Sequence, residues 1–147
     1  AELQERTADA IAGPFADWAM VDLFGESQPR SVAAARPADL VLVDSLRALS
    51  PATCPVISSA IRRGTPVVHA SIDDVTLLGT LPGGTPVAWA IDAGSVAVGP
   101  IVAPGGSGGA ITIVRCADRP YLGFRELAVL TQIAELTAAA ADRLRKP

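Results

Sequence analysis

Apolar positions are densest at residues 95–115, SVAVGPIVAPGGSGGAITIVR. Residues 95–103 are almost wholly apolar and rich in Val and Ile, residues 110–114 repeat that character, and glycine-rich residues 104–109 separate them. The pattern predicts two buried strands joined as a hairpin, the centre of a sheet. Strands apolar on both sides need a cover on each face, and only the flanking helical segments can supply it. The glycines do not read as a phosphate-cradling loop. Such a loop opens a helix, whereas this one runs into the β-branched strand Ile111, Thr112, Ile113, Val114.

The rest of the pattern sorts into alternating helices and short strands. Residues 2–12 place Leu3, Thr7, Ala10 and Ile11 on one helical face, and Gly13 with Pro14 ends that helix. Residues 18–24 read as a strand, with Asp22 the polar exception among apolar neighbours. Residues 25–29 form a polar turn, and residues 31–35 a partner strand. Leu42, Leu46 and Leu49 recur at helical spacing in residues 37–49. Thr53 and Pro55 read as an N-cap and first-turn proline for a helix lined by Val56, Ile57, Ala60 and Ile61 and stopped by Gly64. Residues 67–69 are a short strand. Residues 71–94 are irregular, with a helical turn at residues 88–93, and a loop of that length in a small domain is often functional.

Residues 123–145 predict a long terminal helix. Its stripe Leu127, Leu130, Ala134, Ala138 and Ala141 is widened by Val129, Ile133, Leu136 and Leu144. Such a width either packs a second copy, making the stripe a dimer seam, or serves as core; the pattern leaves both open.

The chain has 147 residues, room for one domain with a real core. Half of them are hydrophobic, yet no apolar run nears the roughly 20 residues of a membrane span. The net charge of −3 and the scattered basic residues argue against nucleic-acid binding, which needs clustered positive charge. Every basic residue but Lys146 is Arg, and Ala, Gly and Pro abound, a composition that points to a GC-rich bacterial genome. No basic and apolar leader opens the sequence, and two cysteines without CxxC spacing fit a reducing compartment, so a cytoplasmic location is expected.

Candidate chemistry is sparse. His69 is the sole histidine; it could serve as a haem ligand or as a structural side chain, and no cofactor and no metal are expected. Cys54 precedes Pro55 at a helix N-terminus, where the dipole favours a thiolate, but cysteine is also a common small hydrophobe. Asp73 and Asp74 adjoin without the further oxygen donors a divalent ion needs. Trp89, inside the irregular region, is the aromatic best placed to serve a ligand pocket or else to fill core. No GxSxG, HExxH or GxxxxGK[ST] motif occurs, so no catalytic residue is assigned.

Three local patterns complete the picture: ADWAMVDLF at residues 16–24, SAIRRGTPVV at residues 59–68, and residues 95–115 leading through Tyr121 into the terminal helix. With the order of elements, they make the whole chain resemble a GAF domain of the kind found in actinobacterial sensor proteins beside PAS, histidine kinase or metal-dependent serine/threonine phosphatase domains. The resemblance implies an α+β, GAF/PAS-like fold: a central antiparallel sheet of five or six strands with helices on both faces, and the N- and C-terminal helices packed together. It also implies a ligand pocket on the opposite sheet face, walled by Val68, His69, Trp89, Val98 and Pro100. The Asn-Lys-Phe-Asp-Glu signature of cyclic-nucleotide relatives is absent, as is the cysteine pattern of bilin-binding ones.

The resulting expectation is a non-catalytic sensory module within a longer signalling protein. It would dimerise, bind a small apolar ligand, and pass its state to an effector domain in the same full-length chain. An enzyme of the same fold, a free methionine sulfoxide reductase, is the alternative, although that family relies on several pocket cysteines that Cys54 and Cys116 do not reproduce. A purely structural dimerisation domain is a third reading.

Overall fold

The computed structural model describes residues 2–24, 30–103 and 106–145. Five strands form one antiparallel sheet in the order β2-β1-β5-β4-β3: β1 (Trp18–Leu23), β2 (Ser31–Ala34), β3 (Val67–His69), β4 (Ala93–Ala103) and β5 (Gly106–Cys116). The central hairpin expected from residues 95–114 is β4–β5, and the first hairpin is β1–β2. The turn at residues 25–29 lies outside the described residues.

Period-two alternation assigns each strand residue to one of two cores. Trp18, Met20, Val96, Val98, Ala110 and Val114 face a core completed by Leu46, Val56, Ile57, Leu78, Val87 and Ile91. These come from the short helices α2 (Val43–Arg47), α3 (Pro55–Arg63) and α4 (Val87–Ala90), and from the chain on either side of α4. Ala19, Val21, Ala97, Ile101, Ile111 and Ile113 face the other core, closed by Ala8 and Ile11 of α1 (Glu2–Ile11) and by Leu130 and Ala134 of α5 (Phe124–Arg145). The two terminal helices therefore share one sheet face and touch each other. α5 can lie close because a Cβ on Gly99 would come within 3.1 Å of Leu130 Cγ. Gly64 ends α3 at φ 67°, a conformation in which a glycine carries no steric cost.

Several boundaries differ from the sequence expectation, each for a local reason. Residues 37–49 are not one helix: Pro37–Leu42 is a 3₁₀ turn leading into α2, and Val41, which blurs the helical pattern, is 82% exposed. The N-cap of α3 is Cys54, not Thr53, because the Thr53 hydroxyl is spent on the Ser50 carbonyl at 2.7 Å. The helical turn lies at Val87–Ala90, earlier than residues 88–93, since β4 already starts at Ala93. Residues 106–109, expected in a turn, belong to β5. β3 pairs only with Val96 to Val98, so β4 extends past it along that edge.

Candidate functional site

The sheet face beneath α2–α4 carries more polarity than its sequence suggests. At one end, Asp22 and Arg30 form a buried two-point ion pair, Nε donating to Oδ1 at 3.0 Å and Nη2 to Oδ2 at 2.9 Å. A third guanidinium donor, Nη1, reaches the Leu46 carbonyl at 3.4 Å. Burial pushes the Asp22 carboxyl above its ordinary range, further than the Arg30 charge and hydrogen bonds pull it down. In the sequence Asp22 stands out as the polar exception in an apolar strand, but its partner does not. The available signal was a lone Arg at the far end of the intervening turn.

At the other end, Asp17 knots three strands. Its Oδ2 accepts from the Cys116 amide at 2.8 Å and its Oδ1 from Arg119 at 3.2 Å, while its main chain bonds Val114 and Ala35. Burial alone would raise this carboxyl, but the Cys116 amide and Arg119 outweigh it and hold the group below its ordinary value. The neighbouring Arg115 donates to the Phe15 carbonyl at 3.0 Å and stands 5.7 Å from the Phe15 ring centroid, tying the exit of α1 to β5.

Both thiols are buried and reduced. Cys54 donates to the Leu78 carbonyl at 3.2 Å and Cys116 to the Ile91 carbonyl at 3.3 Å. Burial pushes the Cys54 thiol up despite the nearby Arg30, overriding the helix-dipole effect that its position at the α3 terminus suggests. Burial, with Asp17 adding to it, pushes Cys116 up to about 12. Neither is the thiolate that nucleophilic chemistry requires.

The pocket residues expected from the sequence do not converge on one cavity. Val98 lies wholly buried beneath α2–α4. His69 pairs with Val96 at the end of β3, half-buried. Val68 packs against the opposite core, because a one-residue step along a strand changes face. Trp89 stands 67% exposed on α4, whose buried side is Val87 and Ala88. Pro100 is buried near the open edge of β4 and lines a recess of about 220 Å³ with Gly99, Val102, Ala134 and Ala138.

For the α5 stripe, left open between dimer seam and core, the structure shows burial within the protomer. Leu130, Ala134 and Ala141 are buried within the protomer, and Leu127 and Ala138 pack against the same core, so this stripe faces the sheet. The extra apolar width lies elsewhere: Leu136 and Leu144 are 71% and 74% exposed. Between α1 and α5 runs a groove of about 560 Å³, lined by Leu3, Ala10, Phe15, Ile133, Leu136 and Ala140 and flanked by Arg6 and Arg143. Among the described residues no group of three His, Cys, Asp or Glu could hold a metal ion, and no helix is long and apolar enough to cross a membrane.

No protein-family model and no curated protein matches the sequence. Solved structures do match the fold. A GAF domain/HD domain protein from Geobacter sulfurreducens superposes with a TM-score of 0.67 at 18% identity, over 98% of this chain and 90% of that one. The second GAF domain of DevS from Mycobacterium smegmatis gives 0.63 at 19% identity, over 98% and 96%. A type II free methionine-R-sulfoxide reductase from Thermoplasma acidophilum gives 0.60 at 16% identity, over 96% of each chain. The chain has the α+β fold of a GAF domain.

Proposed function

We propose that this chain is a non-catalytic sensory module in which a small molecule bound beneath α2–α4 alters how the terminal helices are held. The observation that carries the reading is the division of labour across one sheet. The face under α2–α4 is covered by three short helices and a long loop, cover that can rearrange at low cost. The other face is covered by the two terminal helices, which are connected to the first face through the same strands. A ligand shifts such an equilibrium only if it binds the two arrangements unequally. α5 is then the lever toward an effector domain in the same full-length chain.

The likeness to GAF domains of larger proteins supports this reading, and the dimer belongs to it. With the inner stripe of α5 committed to the sheet, the groove between α1 and α5, with Leu136 and Leu144, is the surface that would meet a second copy. The reductase reading draws on a shared fold, but the two buried, protonated thiols weigh against it. A location in the cytoplasm fits these reduced thiols.

Native mass spectrometry of freshly purified protein, with an absorbance scan, tests the proposal. A retained small molecule, or one that raises the melting temperature and perturbs α5, is the expected result. Thiol-dependent turnover of free methionine sulfoxide that is lost in Cys54→Ser would overturn it in favour of an enzyme. A bare dimer that no metabolite stabilises would overturn it in favour of a structural dimerisation domain.

A further inference from the structure

Two polar side chains in the middle of the candidate face have no hydrogen-bond partner within the protein: the indole Nε1 of Trp18 and the hydroxyl of Thr112. Both residues are wholly buried. The register puts them together. Met20 and Val98 stand directly opposite Thr112, and Trp18 stands opposite Val114, so Trp18 and Thr112 are diagonal neighbours on adjacent strands β1 and β5. Directly paired residues share a face, and Met20 and Val98 face the α2–α4 core. Diagonal neighbours lie about 7–8 Å apart, a span that an aromatic side chain crosses.

A buried polar group without a partner costs on the order of 1–3 kcal/mol, and folded proteins rarely leave two on one patch of sheet. What would satisfy both is constrained by their chemistry. Indole Nε1–H can only donate, and a threonine hydroxyl can donate or accept, so the complement is an oxygen with two lone pairs, a carbonyl or hydroxyl, accepting from both. It is not an anion. The buried cation on this face, Arg30, already binds both Asp22 carboxylate oxygens and the Leu46 carbonyl, and no other buried positive charge accompanies it among the described residues. The walls around the pair are aliphatic or thioether groups: Met20, Val98 and Val114.

We propose that Trp18 Nε1 and Thr112 Oγ1 form the polar anchor of the ligand site, and that the ligand is a small neutral molecule whose carbonyl or hydroxyl oxygen accepts from both while its apolar part packs on Met20 and Val98. This rests on the reading that the α2–α4 face takes the ligand, and it adds a polar anchor to the small apolar ligand expected from the sequence.

The test is a ¹⁵N titration of the indole signals with N-methylacetamide, using Trp89→Phe so that the remaining indole resonance is that of Trp18. Sodium acetate and benzene serve as anionic and apolar controls. A saturable shift of the Trp18 Nε1–H signal with N-methylacetamide alone is expected. Its dissociation constant should rise about fivefold in the near-isosteric Thr112→Val and recover in Thr112→Ser, the loss of one neutral hydrogen bond. No saturable shift, an equal shift in Thr112→Val, or a persistent indole-to-water cross-relaxation that the amide does not displace would overturn the proposal. Benzene saturating the signal where the amide does not would overturn the polar anchor but leave the sensory reading standing. Silence from all three probes, with no molecule retained in the native mass spectrum, would remove both.

Discussion

Arg30 grips Asp22 across the first hairpin with two parallel N–H···O bonds, and the two side chains are only 2% and 3% exposed. Removing one partner strands the other charge in the core. Asp22→Leu or Arg30→Met alone is therefore expected to cost about 3–5 kcal/mol, whereas the two combined should recover much of the loss, because a buried pair is often no better than matched apolar groups. Urea unfolding of the two single variants and the double variant reads the difference. An additive double variant would show that the pair is not a unit.

Asp17 gives a pH dependence of definite sign. Its carboxyl titrates below its ordinary value of 3.8 in the folded state, so its contribution is fully present above that value and is lost as pH falls through the lower folded value. Asp17→Asn should cost about 1–3 kcal/mol near neutral pH, with the gap to wild type closing below about pH 4. Asp22, shifted the opposite way, gains relative stability as pH falls, so the wild-type curve mixes the two effects. The difference between the melting temperatures of wild type and Asp17→Asn, followed from pH 7 to pH 3, isolates the Asp17 term.

The two sides of α5 should respond differently to substitution. Leu130→Ala empties a fully buried position and is expected to cost about 2–5 kcal/mol without changing the assembly state. Leu136→Glu, on the exposed side, should leave the unfolding free energy of the protomer within about 0.5 kcal/mol while reducing the proposed dimer to a monomer by light scattering. A dimer that survives Leu136→Glu paired with Leu144→Glu would place the contact elsewhere.

Thiol labelling provides a fourth check. With both thiols protonated and inside the core, iodoacetamide should modify Cys54 and Cys116 only as fast as the protein opens, giving a rate that tracks stability and not thiol acidity. Fast labelling of native Cys54 would contradict the buried geometry.

Much of this architecture was legible because strand and helix patterns here are strong. The β4–β5 hairpin announced itself by an apolar run on both sides of a glycine stretch, and α3 by the proline at its start and Gly64 at its end. The site was less legible. Asp22 looked anomalous, but pairing it with Arg30 requires the hairpin register, which apolar alternation does not specify across a polar turn. Position along the chain does not fix where Val68 and Trp89 point: one step along β3 changes the face, and α4 buries Val87 and Ala88 while leaving Trp89 exposed. The breadth of the α5 stripe is visible in the sequence, but the sheet that decides between dimer seam and core is not. Thr112 passed as an ordinary β-branched residue; only its neighbours make its hydroxyl an anomaly.

The open stretch of β4 beyond β3 bears on colloidal behaviour. An uncovered strand edge is a template on which a foreign strand can add, the first step toward fibrous aggregation. Here the stretch past Val98 contains Pro100, which has no N–H to donate, and the ladder with β5 shifts register between Ile101 and Val102. Both features break the regular row of donors and acceptors that an incoming strand would need. Pro100, first noted as a pocket residue, thus doubles as a guard against edge-to-edge polymerisation, and replacing it with valine would make this edge the place where growth begins.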